Sequence, residues 1–295
     1  MTARFDLPQK NIETDREIAQ DNVRKSFHDL GVKIEESPEI FERLVELAQS
    51  RQSHFFDATE IAAMIDKLWP KLNIKGISKE EMELCSLVHD VGKSGPAEAP
   101  AAVRLAVEKI FRYKPFNVRP DMTMAEFLAK SGIEEPEAIG EILKDRLGID
   151  LEKEKIGEFW DRHSQWTYEI LNKLLQVKNK DEIVKVAAAH HLIDNQNHSG
   201  LPQEKNEPDQ KFLEFMDKYQ TLTLIDKYQA WRTRSGFSHN RAIETLKQLI
   251  DQKEVDERIR SSYERIIGVL ADSEKELNEA KQTANHKFKT SSGQV

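Results

Sequence analysis

Apolar residues return at intervals of three and four along nearly the whole chain, the spacing that lines one face of an α-helix. No stretch alternates apolar and polar positions long enough to predict a strand, so the expected fold class is all-α. The predicted helices cover 13–29, 38–49, 57–69, 97–111, 123–131, 135–146, 151–175, 181–194, 210–234, 239–251 and 255–285. One more opens with the capping box Ser78-x-x-Glu81 and ends at His89-Asp90. Loops are expected at 112–122 and 195–209, where most of the remaining proline and glycine falls. The last ten residues lose apolar content and are expected to fray.

Several polar groups break the apolar stripes. His163 shares a stripe with Trp166, Ile170 and Leu174, and His190 falls in line with Ile183, Val186 and Ala187, with His191 beside it. Asp226 lies on the row of Phe215, Tyr219, Leu222 and Ala230, and His89 follows Met82 and Cys85. A single histidine on such a face is usually a core residue bonded to a carbonyl. Several inward His and Asp residues on four helices are different, because burying each without a partner costs several kcal/mol. Convergence on a cation removes that cost, and imidazole with carboxylate suits Fe, Mn, Zn, Ni or Co rather than Ca.

Composition narrows the class. Charged residues make up 33% of the chain and the net charge is −8 without a long basic run, which argues against broad nucleic-acid binding. No apolar stretch approaches the roughly 20 residues of a membrane helix, and the first residues lack the apolar block of a signal peptide. With one cysteine, Cys85, no intramolecular disulfide can form; this fits a cytoplasmic protein. Cys85 itself reads as a small buried hydrophobe.

The ordered motifs resemble the HD superfamily of metal-dependent phosphohydrolases, most closely its HD-GYP branch. "LVHDVGK" (His89, Asp90, Lys93) looks like the His-Asp signature with its trailing lysine, and His163 precedes "YEIL". "AAAHHLIDNQNHSGLP" is similar to the His-His-Glu and Gly-Tyr-Pro segment, and "LTLIDKYQAWRTRSGF" to the final aspartate segment. The similarity covers roughly 51–250, with a helical insertion at about 96–160, a helical N-terminal segment at 1–50 and a C-terminal helix and tail at 251–295.

The resemblance implies an HD-type helical bundle holding two divalent metals, Fe or Mn foremost. Asp90 would bridge them, with His89, His163, His190, His191 and Asp226 as further ligands. It implies hydrolysis of a phosphate-containing small molecule, a nucleotide or a cyclic dinucleotide such as cyclic di-GMP. Two cations about 3.5–4 Å apart lower the pKa of a shared water, so hydroxide attacks phosphorus in line with the leaving oxygen. Lys93 would touch a substrate oxygen; its plainer reading is a solvated lysine at a helix end.

The departures from that pattern bear on the substrate. Asp57 stands where a histidine is expected, and either ligates or caps through Asp57-x-x-Glu60; His54 is the alternative ligand. Ser53 replaces a glutamate, so a third metal is not expected. Leu192 replaces the glutamate after the paired histidines, Gly200-Leu201-Pro202 replaces Gly-Tyr-Pro, and Gln229 replaces an acid. Arg232 and Arg234 either bind substrate phosphate or serve as helix-end charge. His198 reads as a loop histidine, and Trp166, Trp231 and Tyr228 as core or pocket wall. Two competing functions remain: a catalytically degenerate signalling module, favoured by the lost motifs, and a di-iron oxygenase with the same ligand types. A homodimer is compatible with the sequence.

Overall fold

Helix α1 (Gln9–His28) and α2 (Pro38–Ala48) lie against each other and lead into α3 (His54–Leu72), which packs closely on α4 (Lys79–Val88). The computed structural model describes residues 9–49, 54–112, 118–191, 193, 210–253 and 256–287. A 3-10 turn, Val91–Ser94, follows α4 and fits against α8 (Ile156–Leu174). Between them run α5 (Ala101–Arg112), α6 (Met124–Ser131) and α7 (Pro136–Leu147). The chain continues as α9 (Lys180–Ala188), α10 (Gln210–Thr233), α11 (His239–Asp251), α12 (Glu257–Ala271) and α13 (Glu274–Lys287). Among the described residues there is no strand, only one isolated bridge between Thr123 and Lys155. The all-α expectation therefore holds, and no described helix is long and apolar enough to cross a membrane.

Local chemistry explains the element ends. Ser78 Oγ accepts from the Glu81 amide at 3.1 Å while the Glu81 carboxylate accepts from the Ser78 amide at 2.9 Å, so the predicted capping box starts α4. Thr123 and Glu126 start α6 in the same way. Gly132 (φ 74°) ends α6 in the left-handed conformation that a Cβ would strain.

Of the boundaries that differ from the expectation, four bear on the site or the packing. Helix α3 begins at His54, so Asp57 lies inside its first turn and does not cap it. Helix α8 begins at Ile156 rather than 151, because the chain first makes the bridge between Thr123 and Lys155. The predicted 255–285 helix is two, because Asp272 and Ser273 interrupt it before α13. Helix α9 stops at Ala188, where Ala189 takes φ −88° and ψ 12°. His190 and His191 therefore sit on a turn beyond the helix, not on its stripe.

One apolar cluster runs from Ala19 in α1 to Ala280 in α13. Cys85 is buried in it, its Sγ 3.7 Å from the Ile183 carbonyl, as expected of a small hydrophobe. Trp166 and Tyr228 are also buried; the Tyr228 hydroxyl lies 2.7 Å from His239 Nδ1. Trp231 is partly buried against the same cluster.

Candidate metal centre

The His-Asp turn is held by backbone contacts that leave no slack. His89 is the last residue of α4's helical path and Asp90 begins the 3-10 turn. The Gly92 amide donates to Thr167 Oγ1 at 3.0 Å, and that hydroxyl donates to the His89 carbonyl at 2.9 Å. Gly92 lies so near α8 that a Cβ there would fall 2.0 Å from the His163 carbonyl oxygen. A glycine at this place brings the His89-Asp90 turn and His163 together.

Below the turn lies Arg43 from α2, fully buried. It donates to Ser94 Oγ at 3.0 Å and to the carbonyls of Gly95, Pro96 and Ala97 at 3.2, 3.0 and 2.7 Å. Burial pushes its pKa below the usual arginine value, and those acceptors offset part of the desolvation. Sequence reasoning missed Arg43, since its acceptors are carbonyls in a distant loop.

The imidazoles share one orientation. The Nδ1 atoms of His89 and His190 lie 2.6 and 2.8 Å from the carbonyls of Ser86 and Ala187, and that of His163 contacts the Trp160 carbonyl. A carbonyl only accepts, so each Nδ1 carries the proton and, in the neutral ring, Nε2 offers a lone pair. Those lone pairs converge. His163 Nε2 lies 3.0 Å from the Nε2 atoms of both His190 and His191. The ligand atoms of the three rings all fall within 4.8 Å of one another.

Asp90 is at the centre. Its Oδ1 lies 3.5 Å from His163 Nε2 and 3.6 Å from His190 Nε2, and its Oδ2 lies 3.5 Å from His89 Nε2. Asp226 Oδ1 is also 3.5 Å from His89 Nε2. Lys93 donates to Asp90 Oδ2, with its Nζ 3.4 Å from His54 Nδ1.

The charges follow. Burial would raise the Asp90 and Asp226 carboxyls, yet Lys93 and His89 hold Asp90, and His89 holds Asp226, well below the usual carboxylate range. Burial lowers His163 to about 4 and His190 well below the usual imidazole value. For His89 burial acts in the same direction, but Asp90 and Asp226 outweigh it and its pKa rises.

A divalent cation fits this donor set. Neutral His163 and His190 face each other with lone pairs, and His89 Nε2 faces two carboxylates, Asp90 and Asp226, at 3.5 Å. Two imidazole nitrogens at cis positions about 2.0–2.1 Å from one ion lie roughly 3 Å apart. The buried His163 and His190 and the half-buried His191, with Asp90, could therefore hold a metal ion.

Two candidates have partners of their own. Asp57 accepts from Arg234 at 2.8 Å and from Gln229 at 3.0 Å, and Gln229 also donates to the buried Glu60 at 3.2 Å. Asp57 is thus paired with Arg234 and is not among the grouped His163, His190 and His191. Arg232 reaches outward to Asn278 on α13 at 3.4 Å. Ser53, Leu192, His198 and residues 200–202 lie outside the described residues. A separate cleft of about 220 Å³ is lined by Lys25, Asp66, Glu83 and Lys287 among others, and by none of the clustered histidines.

No family model, curated protein or solved structure matches this chain.

Proposed function

We propose that the chain is a metal-dependent phosphohydrolase with an HD-type helical bundle, acting on a nucleotide or cyclic dinucleotide. The observation that carries this reading is the two-sided placement of Asp90. One oxygen faces His163 and His190, and the other faces His89 and Lys93. A carboxylate so placed would bridge two cations, iron or manganese. His163, His190 and His191 would hold one, and His89 and Asp226 the other. Bound there, the cations supply a water acidified towards neutrality and polarise phosphoryl oxygens.

The chain's own groups have distinct tasks. The backbone carbonyls of Ser86, Trp160 and Ala187 fix the tautomer and direction of three rings. Lys93, buried beside Asp90, has an ammonium able to meet a phosphate oxygen. Arg234 keeps 31% of its side chain accessible and is the better placed of the two arginines for an anionic substrate.

A second reading, a module that binds metal without turnover, is favoured by one contact. Asp57 and Arg234 neutralise each other, which withdraws both a candidate ligand and a candidate substrate group. The test is turnover of a phosphodiester chromogen and of cyclic dinucleotides by protein reconstituted with Mn(II) or Fe(II). The phosphohydrolase reading expects metal-dependent hydrolysis that Asp90→Ala abolishes. Stoichiometric metal binding without hydrolysis of any phosphoester would favour the module, and no metal binding would contradict both.

A further inference from the structure

The two sides of Asp90 are not equivalent. On the Oδ1 side stand three imidazoles, with His163 Nε2 at 3.0 Å from its two neighbours. Lys93 pairs with the other oxygen, Oδ2. On that side there is one imidazole, His89, and one further carboxylate, Asp226. An additional ligand could come from the first turn of α3, where Asp57 stands. Its carboxylate is already shared between Arg234 at 2.8 Å and Gln229 at 3.0 Å. The Lys93 ammonium meanwhile lies between Asp90 Oδ2 and His54 Nδ1, the latter 3.4 Å away.

From this we infer that the centre fills in sequence. One cation position, made by His163, His190, His191 and Asp90 Oδ1, is filled first and tightly. The second, at His89, Asp226 and Asp90 Oδ2, is filled only when Lys93 gives up its hold on Oδ2. The inference rests on the metal site proposed above and adds an internal competitor to it. An ammonium and a divalent cation repel, and both need the same carboxylate oxygen. Lys93 is thus a positioning residue for the metals, whatever it does to substrate. The chemistry also differs by side: three nitrogens and one oxygen suit Zn, Co, Ni or Fe, whereas one nitrogen with carboxylate oxygens is more tolerant of Mn.

Metal stoichiometry tests this without any assay of turnover. Chelator-stripped protein is titrated with Co(II), following the visible absorption of the bound ion and the metal retained after gel filtration. The wild type should bind one equivalent first, and a second at least about tenfold more weakly, the scale by which neighbouring groups change metal affinity. Lys93→Met, which keeps length and apolar stem, should tighten the second equivalent about tenfold or more and leave the first nearly unchanged. Asp226→Asn should remove the second alone, and His191→Ala should weaken the first, with circular dichroism confirming that each variant is folded. Two equivalents of equal affinity, or a second equivalent indifferent to Lys93→Met, would overturn the inference and leave the metal-site reading intact. No bound Co(II) at all would overturn both.

Discussion

The Nε2 atoms of His163 and His190 lie 3.0 Å apart although each ring carries its proton on the opposite nitrogen. Two lone pairs at that distance repel, and both rings are buried away from water. A cation between them reverses the sign of the interaction. Saturating Mn(II), at a hundred times its Kd, should stabilise the folded protein by about 2.7 kcal/mol. For a chain of this size that is a rise in Tm of several degrees, read by thermal unfolding with and without chelator. Asp90→Ala should lose the rise, and a wild-type Tm indifferent to metal would contradict the assignment.

The histidines should titrate apart in the metal-free protein. His89 is held charged by Asp90 and Asp226, so its proton persists above the usual imidazole value. His163 stays neutral down to about pH 4, and burial with the neighbouring imidazoles holds His190 well below the usual imidazole value. Near pH 5.5, NMR of the imidazole nitrogens should find His89 protonated and the other two neutral. The sign for metal binding follows: an ion at His89 must displace its proton, so affinity there falls as pH falls. A common titration of all three rings near 6.5 would contradict this.

Gly92→Ala tests the contact between the His-Asp turn and α8. The new Cβ would meet the His163 carbonyl oxygen at 2.0 Å and the Thr167 amide nitrogen at 2.5 Å, both backbone atoms that cannot swing aside. The expected cost is about 3 kcal/mol, at the upper end for overpacking, with loss of tight metal binding. Urea unfolding and metal analysis check it. A variant with wild-type stability and metal content would show that the turn does not need that approach.

Arg43→Met removes the donors to the carbonyls of Gly95, Pro96 and Ala97 without changing length much. A buried acceptor left without a partner costs about 1–3 kcal/mol, so the variant should lose roughly 3 kcal/mol or more in urea unfolding. Arg43→Lys should lose somewhat less, because one ammonium cannot span acceptors that a planar guanidinium reaches together. Equal stability of all three proteins would refute the role.

Much of the centre could be read from the chain alone, for a physical reason. His163 and Asp226 lie inside α8 and α10, where the buried Trp166, Ile170, Tyr219 and Leu222 repeat at helical spacing. His190 and His191 were found by the same argument although it does not apply to them, since α9 ends first and a turn delivers them. The Asp57 contacts were not legible, because its partners Gln229 in α10 and Arg234 just beyond it come from far along the chain. Arg43 and the buried Lys218, which donates to the Gly76 carbonyl at 2.8 Å, escaped notice for a related reason. A backbone acceptor leaves no mark in a side-chain pattern.

The most direct measurement is an anomalous difference map from crystals grown with Mn(II), recorded on both sides of the metal's absorption edge. The account predicts a peak within bonding reach of Asp90 Oδ1 and the Nε2 atoms of His163 and His190. A map featureless around Asp90, with manganese found only on surface carboxylates, would contradict it.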